Sequence, residues 1–135
     1  MGDYEIVNKD GKVFAVLKTP AYPKTYIECC NILNTCQNIP TVPGWKGSKI
    51  AKLQQLLICR DAYWKIAGEQ MGLSKSWEPD WSKETDKFTI SNKCNNIYLN
   101  NTAWYCEVLA FPTAEMRDTF YENFKDLIEK CKELL

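Results

Sequence analysis

The sequence predicts an α+β fold, a small antiparallel sheet with about three helices packed on it, in the order ββ-α-α-βββ-α. Three observations lead there. A hairpin signal opens the chain, apolar residues recur at helical spacing in its middle and at its end, and short strand-like runs separated by turn residues lie between. The links between those runs are too short for parallel crossovers, which favours antiparallel pairing.

Each element has its own reason. Tyr4 to Val7 and Lys12 to Leu17 are apolar-rich runs flanking Asn8-Lys9-Asp10-Gly11, and Asp-Gly supplies the positive φ angles of a tight hairpin turn. Pro20 and Pro23 end the second strand, because proline cannot donate to a ladder. Thr25-Tyr26-Ile27-Glu28 has the T-x-x-E form of a capping box, so a short helix follows through Cys29, Cys30, Ile32 and Leu33. Asn34 to Gly47 holds two prolines and two glycines and reads as a loop of unusual length. Ser48 then caps a helix that runs to about Gly72. One of its faces carries Ile50, Leu53, Leu57, Trp64, Ala67 and Met71; a second carries Leu56, Cys59, Tyr63 and Ile66. A helix apolar on two sides belongs at the centre of a fold, although Arg60 and Asp61 interrupt it.

Ser74 to Asp86 is polar, and Pro79 bars a regular helix there. Three strands are expected next, at Lys87 to Ile90, Ile97 to Leu99 and Ala103 to Phe111, with turns at Asn92 to Asn96 and Asn100 to Thr102. The terminal helix is the clearest element. Met116, Phe120, Phe124, Leu127, Ile128, Cys131 and Leu135 form one stripe, Thr113 caps the start, and Lys130 and Lys132 oppose the dipole at the end.

Composition narrows the function. A chain of 135 residues favours one domain, 1–135, and can bury a core without metal or disulfides. Seventeen basic residues balance seventeen acidic ones, so the basic excess that supplies most nonspecific affinity for nucleic acid is missing. No run approaches the ~18–20 apolar residues needed to cross a bilayer. Histidine is absent, which removes the commonest general base and metal ligand. There is no G-x-S-x-G motif and no P-loop. The seven cysteines include no C-x-x-C pair, which argues against zinc and for reduced, mostly buried thiols in a cytoplasmic protein. Cys29 and Cys30 lie in the first turn of the short helix, where the dipole favours thiolate, but their spacing to Leu33 also fits a buried stripe. Asn100-Asn101-Thr102 fits the glycosylation pattern and, with no secretion signal, reads as a turn. No cofactor and no metal are expected.

Two local features carry possible binding chemistry. Trp77-Glu78-Pro79-Asp80-Trp81 either clamps a flat ligand between two indoles or anchors an irregular loop, with Asp80 capping a turn. Glu78 and Asp80 could face one way but lack the oxygen count a hard cation wants. Trp45-Lys46-Gly47-Ser48-Lys49, with Lys52 beyond, places cations and an indole at a helix N-terminus, where phosphate could be cradled or where lysines are simply solvated.

The segments also have a familiar order. Tyr22-Pro23-Lys24-Thr25-Tyr26-Ile27-Glu28-Cys29-Cys30-Asn31-Ile32-Leu33 precedes a longer helix. Trp77-Glu78-Pro79-Asp80-Trp81 and Lys87-Phe88-Thr89-Ile90 follow, then Val108-Leu109-Ala110-Phe111 running into Thr113-Ala114-Glu115-Met116-Arg117-Asp118-Thr119-Phe120 and Phe124-Lys125-Asp126-Leu127-Ile128. Over residues 22 to 135 this resembles a group of small proteins, with no assigned activity, encoded by gut Bacteroidales and by their phages and prophages. The resemblance implies a bacterial or phage cytoplasmic setting. The expectation is a non-enzymatic phage or mobile-element accessory protein that binds a host protein, a phage protein or a second copy of itself. The alternative is a sequestering protein for an anionic aromatic small molecule, such as a signalling nucleotide of antiphage defence. Its ligand would meet Trp45, Lys46, Lys49, Trp77, Asp80 and Trp81.

Overall fold

The computed structural model describes residues 4–17, 22–35 and 45–135. The architecture is α+β. The expected element order holds, with a 3₁₀ turn added at the end and the five strands divided between two sheets.

Strands β1 (Tyr4–Lys9) and β2 (Lys12–Leu17) form a two-stranded antiparallel sheet in which Lys9 pairs with Lys12. Asp10 and Gly11 close it with φ angles of 54° and 74°. Two consecutive positive φ values give the turn whose twist matches that of the flanking strands.

Helix α1 (Tyr26–Leu33) starts as its capping box requires, with the Thr25 hydroxyl accepting from the Glu28 N–H at 3.2 Å. The reciprocal bond is displaced by one residue, since Glu28 accepts from the Lys24 N–H at 2.7 Å rather than from that of Thr25. At the other end Asn34 adopts a left-handed conformation and the Thr35 N–H reaches back to the Cys30 carbonyl, a Schellman closure. Residues 36–44 of the expected loop lie outside the described residues.

Helix α2 (Trp45–Gln70) begins three residues before the expected cap at Ser48. Gly47, read as loop, sits in its first turn; the roughly 1 kcal/mol that glycine costs a helix is small beside the packing of twenty-six residues. The deeply buried face is Leu56, Cys59, Ala62, Tyr63 and Ala67, whereas Ile50 and Met71 at the ends of the other expected face are exposed. Gly72, at φ 71°, ends the helix, and the Leu73 N–H bonds back to the Gly68 carbonyl.

Strands β3 (Lys87–Lys93), β4 (Asn96–Thr102) and β5 (Leu109–Phe111) form the second sheet in the order β4-β3-β5. The expected turn at Asn100 to Thr102 is strand instead, paired with Lys87 to Thr89. Cys94 and Asn95 make the reversal, both at positive φ, inside a longer ladder than the sequence suggested. The expected strand from Ala103 to Phe111 shrinks to its last three residues. The sheet order gives the reason. β4 and β5 both run antiparallel to β3 on its opposite sides, so the chain between them must cross over β3. The climb from the level of Lys87 to that of Ile90 is short enough for six residues to cover, and every pairing in the sheet is antiparallel, as the short links led one to expect.

Helix α3 (Ala114–Cys131) starts at Thr113, whose hydroxyl accepts from the Met116 N–H. It breaks regular geometry at Phe124 and ends in the 3₁₀ turn Lys132–Leu134. Met116, Phe120, Phe124, Ile128 and Cys131 of the expected stripe are buried, with Leu127 and Leu135 packed beside them. α2 lies between α1 and α3, and Ile90, Leu109 and Phe111 of the sheet complete the core. Both edges of this sheet meet side chains from the helices. The Trp64 indole N–H donates to the Ala110 carbonyl on β5, and Arg117 donates to the Asn100 carbonyl on β4. Such contacts blunt edge-to-edge pairing with other chains.

Candidate functional site

The six residues expected to bind a ligand do not converge. Trp45 and Lys46 begin α2, and their side chains lie outside the described residues. Trp77 packs edge-on against Trp64 at 5.7 Å and 83°, nineteen positions further along the same helix. At about 1.5 Å per residue, that sets Trp45 and Trp64 roughly 28 Å apart. Lys49 reaches the opposite chain end, where its ammonium lies 2.6 Å from the Glu133 carboxylate.

In the Trp77–Trp81 stretch both rings are engaged within the fold. The Trp77 N–H also donates to the Trp64 carbonyl at 2.9 Å. Gly68 permits this approach, because a Cβ there would collide with the Lys75 carbonyl oxygen. Trp81 is half-buried with the Lys87 ammonium 5.2 Å from its ring, and Lys87 in turn donates to the Lys83 carbonyl. Asp80 accepts from the Ser82 hydroxyl and N–H, and these bonds, helped by Lys83 and Lys87, hold its carboxyl below the usual carboxylate range. These residues anchor the loop rather than open it.

A different surface gathers polar and aromatic groups. The crossing segment, residues 103–108, passes over the outer face of β3 and leaves a groove of about 520 Å³. Thr89, Ser91 and Lys93 alternate along β3 and point into it, the first two buried. Asn100 and Thr102 of β4 join them, and Tyr105 and Glu107 come from the crossing segment. Partial burial pushes the Glu107 carboxyl up, and Lys93 opposes that shift.

The crossing segment is pinned at both ends. The Thr102 hydroxyl accepts from the N–H groups of Trp104 and Tyr105, each at 3.2 Å, taking two donors that a strand ladder would need. Arg60 donates to the Val108 carbonyl at 2.9 Å while stacking over Trp64 at 4.1 Å and pairing with Asp61. Between these ties Trp104 and Tyr105 stand 63% and 75% exposed, and Tyr98 of β4, the pairing partner of Ser91, is exposed as well. A large aromatic side chain exposed on a tethered loop is unusual, because burial would stabilise each ring by about 1.5–3 kcal/mol.

Sequence reasoning missed this groove because Ala103 to Phe111 read as strand. The available signal was the alternation of small polar residues at Thr89 and Ser91, which gives β3 a hydroxyl-lined face.

Among the described residues no group of three or more Cys, Asp or Glu side chains is placed to hold a metal, and no helix is long and apolar enough to cross a membrane. No protein-family model matches the chain, and neither curated proteins nor solved structures give a match.

Proposed function

We propose that this protein is a non-enzymatic binding module of phage or mobile-element origin, acting in the bacterial cytoplasm, and that it holds a protein partner through the segment 103–108. The observation that carries this reading is the exposure of Trp104 and Tyr105 on a segment tied down at both ends. Rigid aromatic rings are the side chains that most often dominate protein–protein binding energy, since they bring large area at low entropic cost. The groove beside them offers hydroxyl and amide groups for a polar rim. The absence of histidine fits a binding role rather than proton-transfer chemistry.

The test compares wild type with the Trp104→Ala/Tyr105→Ala double variant as baits in a Bacteroidales lysate. The expected outcome is a stoichiometric partner lost by the variant at unchanged melting temperature. Equal capture by both baits would remove the segment from the interface.

A second reading, capture of an anionic aromatic small molecule, is favoured by a separate observation: three lysines with no ion pair among the described residues line a hollow between the helices.

A further inference from the structure

The three helices border an open hollow of about 480 Å³ on the side where α1 begins. Lys24 precedes α1, Lys52 projects from α2, and Lys125 and Lys130 come from α3. Among the described residues that line it, four are lysines and two, Glu122 and Asp126, are acidic. Glu122 is already paired with Lys125 at 3.2 Å. Lys24, Lys52 and Lys130 have no ion pair among the described residues. Cations left together without counter-charges repel one another, and an anion placed among them relieves that repulsion.

The walls are fixed independently of the lysines. The buried Tyr63 hydroxyl donates to the Pro23 carbonyl at 2.7 Å and accepts from the Asn123 amide at 2.9 Å. That chain of bonds joins the approach to α1, the middle of α2 and the wall of α3. The irregular residue of α3, Phe124, lies on the hollow. So do Tyr26 and Leu127, partly buried against the core, which add apolar surface to the lining.

We infer that this hollow is a binding site for a small phosphorylated molecule with a flat organic body, of nucleotide size, its phosphates among Lys24, Lys52 and Lys130 and its ring against Tyr26 and Leu127. The volume lies within the range of ordinary ligand pockets. This rests on the second reading above and is independent of the aromatic segment 103–108.

Titration calorimetry of the full chain at low ionic strength tests it, with ADP, inorganic pyrophosphate and adenosine as probes. ADP is expected to bind more tightly than pyrophosphate, adenosine to bind weakest, and added NaCl to weaken both anions. Lys52→Glu and Lys130→Glu are each expected to weaken ADP by about tenfold or more, with Lys52→Gln and Lys130→Gln intermediate, and far-ultraviolet dichroism confirming that each variant folds. Lys83→Glu, outside the hollow, is expected to change nothing. Anion binding unaffected by the Lys52 and Lys130 variants would overturn the site while leaving a small-anion binder. No heat and no thermal shift with any probe at millimolar concentration would overturn the second reading itself.

Discussion

Tyr63 stands at the meeting point of four rings and two polar groups. Tyr22 stacks on it at 5.1 Å, and Phe111, Phe120 and Phe124 meet it edge-on at 6.4, 5.0 and 5.9 Å. Tyr63→Phe keeps those ring contacts and strips the hydroxyl from Pro23 and Asn123, leaving a carbonyl and an amide without their partner. The expected loss is about 1–3 kcal/mol, read from the urea midpoint. The same residue sets an alkaline limit. Burial pushes the phenol above its ordinary value of 10.0, and the bond from Asn123 opposes that only in part. The unfolded phenol ionises near pH 10 while the folded one still holds its proton. Stability present below pH 10 therefore falls as pH rises through that window, and the Tyr63→Phe variant should show a shallower alkaline decline in the same titration. The importance of Tyr63 was legible as an apolar position on a helix face; its hydroxyl network was not, because Pro23 and Asn123 lie 40 and 60 positions away in sequence.

Elements with local causes were read well, and elements fixed by distant partners were not. The hairpin turn at Asp10-Gly11, the Thr25 and Thr113 caps and the stripe of α3 depend on residues within one or two turns, so they are written into the sequence. The segment after β4 depends on where β5 pairs, which no local pattern states. The candidate groove was hidden for the same reason, whereas the Trp77–Trp81 stretch looked like a site because its rings are unusual and their partners, Trp64 and Lys87, belong to other elements. Gly68 shows this inside α2. By propensity alone, alanine would strengthen the helix by up to about 1 kcal/mol. Against the Lys75 carbonyl a methyl group must displace backbone, at a cost of about 1–3 kcal/mol. Gly68→Ala is thus expected to lower stability by up to about 2 kcal/mol net of the full helix gain, and a denaturation curve showing a gain would mean that the segment after α2 is not seated there.

Across the whole molecule the described thiols divide cleanly. Cys29, Cys30, Cys59 and Cys131 are buried and free, while Cys94 and Cys106 are exposed. Burial pushes the Cys131 thiol up to about 11, and Cys59, hydrogen-bonded to Cys29 in the same interior, is driven upward as well. Since the thiolate must be reached by the reagent, an alkylating reagent should modify Cys94 and Cys106 well before the four interior thiols, Cys36 lying outside the described residues. The four interior thiols should react at a rate set by global opening, so that peptide mapping over time measures stability without denaturant. Fast labelling of Cys59 would show that α1 detaches from α2 on its own. The perpendicular indoles of Trp64 and Trp77, 5.7 Å apart, add an optical handle. At that separation their electronic transitions are expected to couple and to give a paired positive and negative band in the circular dichroism spectrum. That couplet distorts any helix content taken from the spectrum, and it disappears when the two chromophores separate, so one instrument follows the docking of a single loop in the unlabelled protein.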